Sequence, residues 1–385
     1  MMKEFKIRII FYCWFWFFIG ISQTNLNAQN GENTSKNTLE NTLEMQTAVG
    51  VSIPNHPRFT PIIEPAFYTA LVVSLATNDR TWGAPIGAPL LRIAVSRQSL
   101  GNSGVLGNAY GVVPSLQFLL LQRQKWTYLF GAGLGISYMD KPYLQNVNEK
   151  NTVIGSAVSF FGAADLAIKY RLNDNFQLGA ALLLTHYSNG NYKQPNLGVN
   201  IASPCLSISY HYKYNKKNTL EAAVNTNYTI DKNVHIFVRG SYGLTERGLD
   251  GPKYPVYIIG VGAARRVGAV HRFSAGAEYI YNTSPYQFLV HTGQLDAAEA
   301  RIQAERGVIF VGHELLMGHV GFVTEGGVYL NKHYSQHSWI STKIGFNFYP
   351  QHQQKHSRLQ AYLGTYIRAY FGEAEFVEVV GGFLF

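Results

Sequence analysis

Cysteine is almost absent from this 385-residue chain, which holds only Cys13 and Cys205. Cys13 lies inside an amino-terminal apolar run, and removal of that run leaves Cys205 alone. One thiol cannot form an intramolecular disulfide even in an oxidising compartment, and it cannot build a cysteine zinc site. Charge is also scarce, at 14% of residues. Beyond the amino-terminal run, no stretch reaches the roughly 18 apolar residues of a helical membrane span. Nor is there a helical period long enough to mark a soluble helical domain.

Glycine and aromatic residues are plentiful: 37 Gly, 25 Tyr and 23 Phe. Half-polar strands with aromatic girdles produce this profile. At the amino-terminus Lys3, Lys6 and Arg8 precede an apolar run over residues 9–21, and a more polar stretch leads to Asn27-Ala28-Gln29. That pattern is expected to be a secretory signal over residues 1–28, cut near Ala28. Cys13 sits in the middle of the run rather than just after it, which does not fit a lipoprotein attachment signal. The formal charge of +9 falls by two when Lys3, Glu4, Lys6 and Arg8 leave. A basic surface suits phosphorylated glycolipid, and solvated loop lysines account for most of the excess. Nothing in the pattern points to nucleic acid.

The carboxy-terminal residues alternate. Phe385, Phe383, Val379 and Val377 fall on one face, and Leu384, Gly382, Val380 and Glu378 on the other. One face suits lipid and the other tolerates charge, and the terminal Phe385 resembles the endings of bacterial outer-membrane β-barrels. Residues 29–46 hold little to bury, including the near-repeat Asn37-Thr38-Leu39-Glu40 and Asn41-Thr42-Leu43-Glu44, and read as a polar lead-in. From residue 47 to 385 alternating runs recur between Gly, Asn, Pro and charged clusters, and the expected fold is all-β: one antiparallel transmembrane barrel. Fifteen candidate strands stand out, the first over residues 67–77 and the last over 375–385. Single-chain bacterial barrels normally hold an even number, so 12 to 16 strands are expected, with 14 as the central value.

Face assignment follows from charge. Around residues 155–170 the even positions Phe160, Ala164, Leu166 and Ile168 are apolar while Asp165 and Lys169 are odd, so even positions face lipid. Residues 200–213 give the same parity through Leu206, Ile208 and Tyr210 against Ser203, Ser207 and Ser209. Asn173-Asp174-Asn175 reads as a tight periplasmic turn, so the strand over residues 176–188 runs outward. His186 and Ser188 then emerge on the lipid face near the outer surface, and Asn200 shares their parity. An imidazole and a hydroxyl adjacent on one face can act as base and nucleophile.

The His-x-Ser spacing alone signals little, and His333-Tyr334-Ser335 repeats the tripeptide in an apparent connection. The continuation distinguishes the first copy: His186-Tyr187-Ser188-Asn189-Gly190-Asn191-Tyr192-Lys193-Gln194-Pro195-Asn196-Leu197-Gly198. This segment resembles the active site of the lipid A 3-O-deacylase (PagL-like) and acyloxyacyl hydrolase family of outer-membrane barrels. The resemblance rests on His186, Ser188, Asn189, Lys193, Gln194, Pro195, Asn196 and Gly198, over about sixteen residues. It implies a serine esterase that removes an ester-linked acyl chain from lipid A of lipopolysaccharide, without metal or organic cofactor. His186 would be the general base, Ser188 the nucleophile, Asn189 and Gly190 the oxyanion donors, and Lys193 a contact for substrate phosphate.

One departure stands out. The family places Glu fourteen residues after the His, and this chain has Asn200 there. An amide can fix a histidine tautomer but supplies no negative charge. Asn200 is expected as the orienting residue, with Glu64 and Glu314 as alternative acids by elimination. Asn189-Gly190 is also a turn dipeptide, and Lys193 also reads as an exposed loop lysine. His313-Glu314 lacks the HExxH spacing of zinc proteases. The competing readings are a non-enzymatic barrel (channel, adhesin or structural protein) with a degenerate site, and another lipid esterase such as a phospholipase.

Overall fold

The computed structural model describes residues 39–212, 231–331, 338–351, 359–370 and 373–385. The expected signal over residues 1–28 and the second His-Tyr-Ser lie outside them. Among the described residues no helix is long and apolar enough to cross a membrane. Sixteen strands among the described residues form two closed antiparallel barrels of eight.

The single barrel of about 14 strands is therefore corrected to two of eight. Each set closes on itself through a pairing between its first and last strand, distant in sequence and invisible to local alternation. The first barrel comprises β1 Thr42–Ile53, β2 Ala66–Ala76, β3 Leu90–Ser99, β4 Asn108–Arg123, β5 Trp126–Met139, β6 Val158–Arg171, β7 Phe176–Ser188 and β8 Val199–His211. It closes where β1 pairs with β8, from Thr42 opposite His211 to Ile53 opposite Asn200. The second comprises β9 Val234–Glu246, β10 Lys253–Val267, β11 His271–Asn282, β12 Glu305–Met317, β13 Val320–Tyr329, β14 Ile340–Phe348, β15 Gln360–Tyr370 and β16 Glu373–Leu384. It closes through β16 against β9.

β1 starts inside the supposed polar lead-in. Its buried positions are Thr42, Glu44, Gln46, Ala48, Gly50 and Ser52, so the polar residues that suggested an unstructured segment are those that face the lumen. Two short helices, α1 Thr283–His291 and α2 Ala297–Ala304, occupy the connection between β11 and β12. Asn282 and Asp296 cap them by accepting from the backbone N–H groups of Ser284 and Glu299.

An eight-stranded barrel is just wide enough for its interior to be filled by side chains. In the first barrel Lys169 Nζ meets Glu44 at 2.6 Å and Arg92 meets Asp165 at 2.8 Å, all four side chains being buried or nearly so. Gln117 Nε2 donates to the second oxygen of Asp165 at 2.9 Å. In the second barrel Arg239 bridges Glu278 and Glu325 at 2.7 and 2.5 Å. Lys343 meets Glu278 at 2.5 Å and Glu378 at 2.8 Å, and Arg368 also pairs with Glu278. Opposite charges in contact satisfy one another where an unpaired ion would cost several kcal/mol.

Outside, the apolar residues of the even face stand exposed, as in Leu166, Leu182 and Leu206 at 55, 50 and 65%. The parity read from the charges of β6 thus holds. At the other chain end Phe383 and Phe385 are exposed and Val380, Gly382 and Leu384 buried, as alternation predicts.

Candidate active site

β7 delivers the candidate residues, and its inward face fixes their direction. Tyr187 is fully buried, stacks on Phe161 with centroids 4.7 Å apart, and donates to Gln98 Oε1 at 2.7 Å. Thr185 Oγ1 donates to the same oxygen at 2.9 Å. With the odd residues anchored in the lumen, side-chain alternation sends His186 and Ser188 outward. His186 is exposed and Ser188 half-buried.

Register brings the third residue into place. His186 lies directly opposite Asn200 across β7 and β8. The imidazole Nδ1 and Asn200 Oδ1 are 2.8 Å apart. An amide oxygen only accepts, so Nδ1 carries the proton and Nε2 keeps its lone pair, the tautomer a general base requires. Among the described residues this is the only side-chain hydrogen bond of the imidazole. The alternative acids are committed elsewhere. Glu64, half-buried in a connection, accepts from the backbone N–H of Ser103, and that bond holds its carboxyl below the usual carboxylate range. Glu314 lies in the lumen of the second barrel, 3.1 Å from Arg272 and 2.7 Å from the Tyr349 hydroxyl.

Ser188 does not donate to His186. Its hydroxyl donates to Asn196 Oδ1 at 3.1 Å, and the backbone N–H of Asn189 donates to the same oxygen at 2.9 Å. Asn189 Nδ2 donates to the carbonyl of Lys193 at 2.6 Å, which closes the loop after β7 on itself. Gly190 and Asn191 both take left-handed backbone conformations, with φ of 66° and 65°, so Asn189-Gly190 does form a turn. The loop is held from outside by a bridge between Ile154 and Asn196, and by Asn55 Nδ2 donating to the Leu197 carbonyl at 2.6 Å.

Sequence reasoning gave Asn196 and Gly198 no role. Asn196 ties the nucleophile candidate to the oxyanion candidate with one oxygen. Gly198 has φ +69°, and a Cβ there would lie 3.0 Å from the imidazole Cε1 and 3.1 Å from the Tyr187 carbonyl. Only glycine fits that backbone without pressing on the ring. The Pro-Asn-x-Gly run after the turn was the available signal for both. Among the described residues no group of three or more His, Cys, Asp or Glu is placed to hold a metal ion.

Residues 71–213 match the model of the lipid A 3-O-deacylase (PagL) family, and residues 232–385 match that of the acyloxyacyl hydrolase C-terminal domain. No curated protein matches the chain. Among solved structures, Neisserial surface protein A is 11% identical, with 46% of this chain and 100% of that one covered at a TM-score of 0.32. The outer-membrane enzyme PagL is 16% identical, covering 43% of this chain and 97% of that one at 0.31. The Pseudomonas putida toluene transporter TodX is 9% identical over 90% of this chain and 89% of its own, at 0.17. The two sequence-family matches, not these distant likenesses, place the protein. The first family match contains β7, the loop after it and Asn200; the second begins just before β9 and spans the whole second barrel. The chain belongs to the lipid A 3-O-deacylase and acyloxyacyl hydrolase family of outer-membrane β-barrels.

Proposed function

We propose that this lipid A deacylase is a serine esterase whose nucleophile is Ser188, whose general base is His186 and whose orienting residue is Asn200. The observation that carries the reading is the 2.8 Å contact between His186 Nδ1 and Asn200 Oδ1 on the lipid-facing side of β7 and β8. It supports an imidazole whose free Nε2 is ready to take a proton, on the surface where ester-linked acyl chains of lipopolysaccharide lie.

The Ser188 hydroxyl first leaves Asn196 and turns to His186 Nε2, which takes its proton as Oγ attacks the ester carbonyl carbon. The carbonyl oxygen becomes an oxyanion and draws on the N–H groups of Asn189 and Gly190, the first of which Asn196 Oδ1 engages at rest. The C–O bond to the sugar then breaks, and the imidazolium returns the proton to the leaving sugar oxygen. Water attacks the acyl-enzyme, giving its proton to His186 and from there to Ser188 Oγ, and the fatty acid leaves. No step calls for a metal or an organic cofactor. Lys193 is suited to a lipid A phosphate at the loop's outer edge.

The test of substrate class runs purified lipopolysaccharide and phospholipid vesicles side by side with purified protein. Release of a hydroxy fatty acid from lipopolysaccharide alone is expected; faster release from phospholipid would replace this reading with a phospholipase.

A further inference from the structure

We propose that the second barrel holds a binding site for the phosphodiester of an inner-leaflet phospholipid, built on the paired His271 and His313. Towards this end of β11 and β12 the outward neighbours Phe273 and Val311 are exposed and apolar, and the two histidines stand among them; the outward carboxylate Glu305 lies at the opposite end of β12 and pairs with Arg301 at 3.2 Å. His271 Nδ1 and His313 Nε2 are 2.9 Å apart, so one ring donates to the other. His271 Nε2 and His313 Nδ1 are left without a side-chain partner among the described residues. Ionisable groups on a lipid-facing surface are costly and mark functional sites by default.

The neighbouring positions supply a cation. Arg265 pairs with Phe273 across β10 and β11, and Phe273 pairs with His313 across β11 and β12, which puts the three in one outward row. The Phe273 and His313 rings lie 5.0 Å apart. Arg265 is exposed, and its Nε donates to the Lys232 carbonyl at 3.0 Å, while the terminal nitrogens of the guanidinium have no hydrogen-bond partner among the described residues. Behind this row the charges of Arg272 and Glu314 face the lumen and neutralise each other at 3.1 Å. The fixed positive charge of the outward row is therefore that of Arg265.

Position selects the ligand. This row lies at the end of the barrel where the two-residue connection 318–319 and the short connection 268–270 join the strands, opposite the end that carries α1 and α2. Short turns face the periplasm in such barrels. The patch then meets the inner leaflet, which is phospholipid rather than lipopolysaccharide, and a basic pocket at that level suits a lipid phosphate. Imidazole N–H and guanidinium groups are donors to its oxygens.

Native mass spectrometry of the full-length protein in detergent, with added phosphatidylglycerol, phosphatidylethanolamine or inorganic phosphate, tests the site. Retention of one phospholipid per chain is expected, falling about tenfold, the equivalent of one charge-assisted hydrogen bond, in the double variant His271→Leu/His313→Leu and in Arg265→Gln. Heat-modifiable gel mobility reads folding. Arg265→Gln alters an exposed side chain whose one bond among the described residues goes to a backbone carbonyl, so it carries the test if the double variant fails to fold. Equal retention in wild type and Arg265→Gln overturns the proposal, as does displacement of the lipid by an equal concentration of inorganic phosphate.

Discussion

Replacing Asn200 with Asp changes one atom and one charge where they bear most on catalysis. Asn200 Oδ1 already sits 2.8 Å from His186 Nδ1, and aspartate is isosteric, so the hydrogen bond and the tautomer persist while a negative charge is added beside the imidazole. That charge acts only once His186 has taken the serine proton, so it lowers the barrier rather than the ground state. Two unit charges about 4 Å apart are worth roughly 1 kcal/mol in bulk water and roughly 4 kcal/mol near a protein surface. The pair stands on the lipid-facing side of β7 and β8 near their outer end, so the near-surface value bounds the gain from above. About 1–3 kcal/mol corresponds to a tenfold to hundredfold gain in the chemical step. The assay is single-turnover release of hydroxy fatty acid from purified lipopolysaccharide, with Asn200→Glu and Asn200→Leu alongside. Asn200→Glu should also be faster than wild type, and Asn200→Leu, which removes the acceptor, should be slower by about a hundredfold or more. A rate for Asn200→Asp at or below wild type, or an undiminished rate for Asn200→Leu, would refute the role given to Asn200.

Other consequences follow from single contacts. Gly198→Ala adds a Cβ 3.0 Å from the imidazole at a residue with φ +69°, and should cost about 1–3 kcal/mol of local strain and reduce turnover about tenfold in a folded barrel. Asn196→Ala removes the acceptor that Ser188 Oγ and the Asn189 N–H share, and should change kcat with little change in thermal unfolding; an unchanged kcat would make Asn196 a structural residue only. Glu44→Gln leaves Lys169 buried without its counter-charge and should destabilise the first barrel by about 3–5 kcal/mol, read by denaturant unfolding in lipid vesicles. Ion conductance in planar bilayers should be absent, since each lumen is filled by paired side chains; steady single-channel currents would revive the channel reading.

Much of this was legible in the sequence because a strand's side-chain period is two and charge settles which face is inside. Asp165 and Lys169 on β6 were enough to put His186, Ser188 and Asn200 on the lipid face, and the exposed Leu166, Leu182 and Leu206 agree. Closure was not legible. The pairings of β1 with β8 and of β16 with β9 join segments far apart in the chain, and no local pattern separates one long barrel from two short ones. β1 stayed hidden because Glu44 and Gln46, which make it look soluble, are lumen residues: Glu44 pairs with Lys169 on β6, and Gln46 donates to Glu44. The cross-strand position of Asn200 was recoverable from parity, but the use of Asn196 was not. It depends on how a loop folds back over the strand end, and turn chemistry does not encode that.

The substitution of Asn for the family's Glu also gains a physical account. A carboxylate would both orient the imidazole and stabilise its charge; the amide keeps the first effect through Oδ1 and gives up the second. On the roles proposed for His186 and Asn200, the imidazole is oriented with less electrostatic support, and the expected consequence is a slower esterase rather than an inactive one.

The most direct test of the serine mechanism is the mass of lipid A after incubation of lipopolysaccharide with wild type and with Ser188→Ala in parallel. Wild type should remove the mass of one hydroxyacyl chain while Ser188→Ala leaves lipid A intact; equal loss with both proteins, or no loss with either, would contradict the assignment of Ser188 as the nucleophile of an active enzyme.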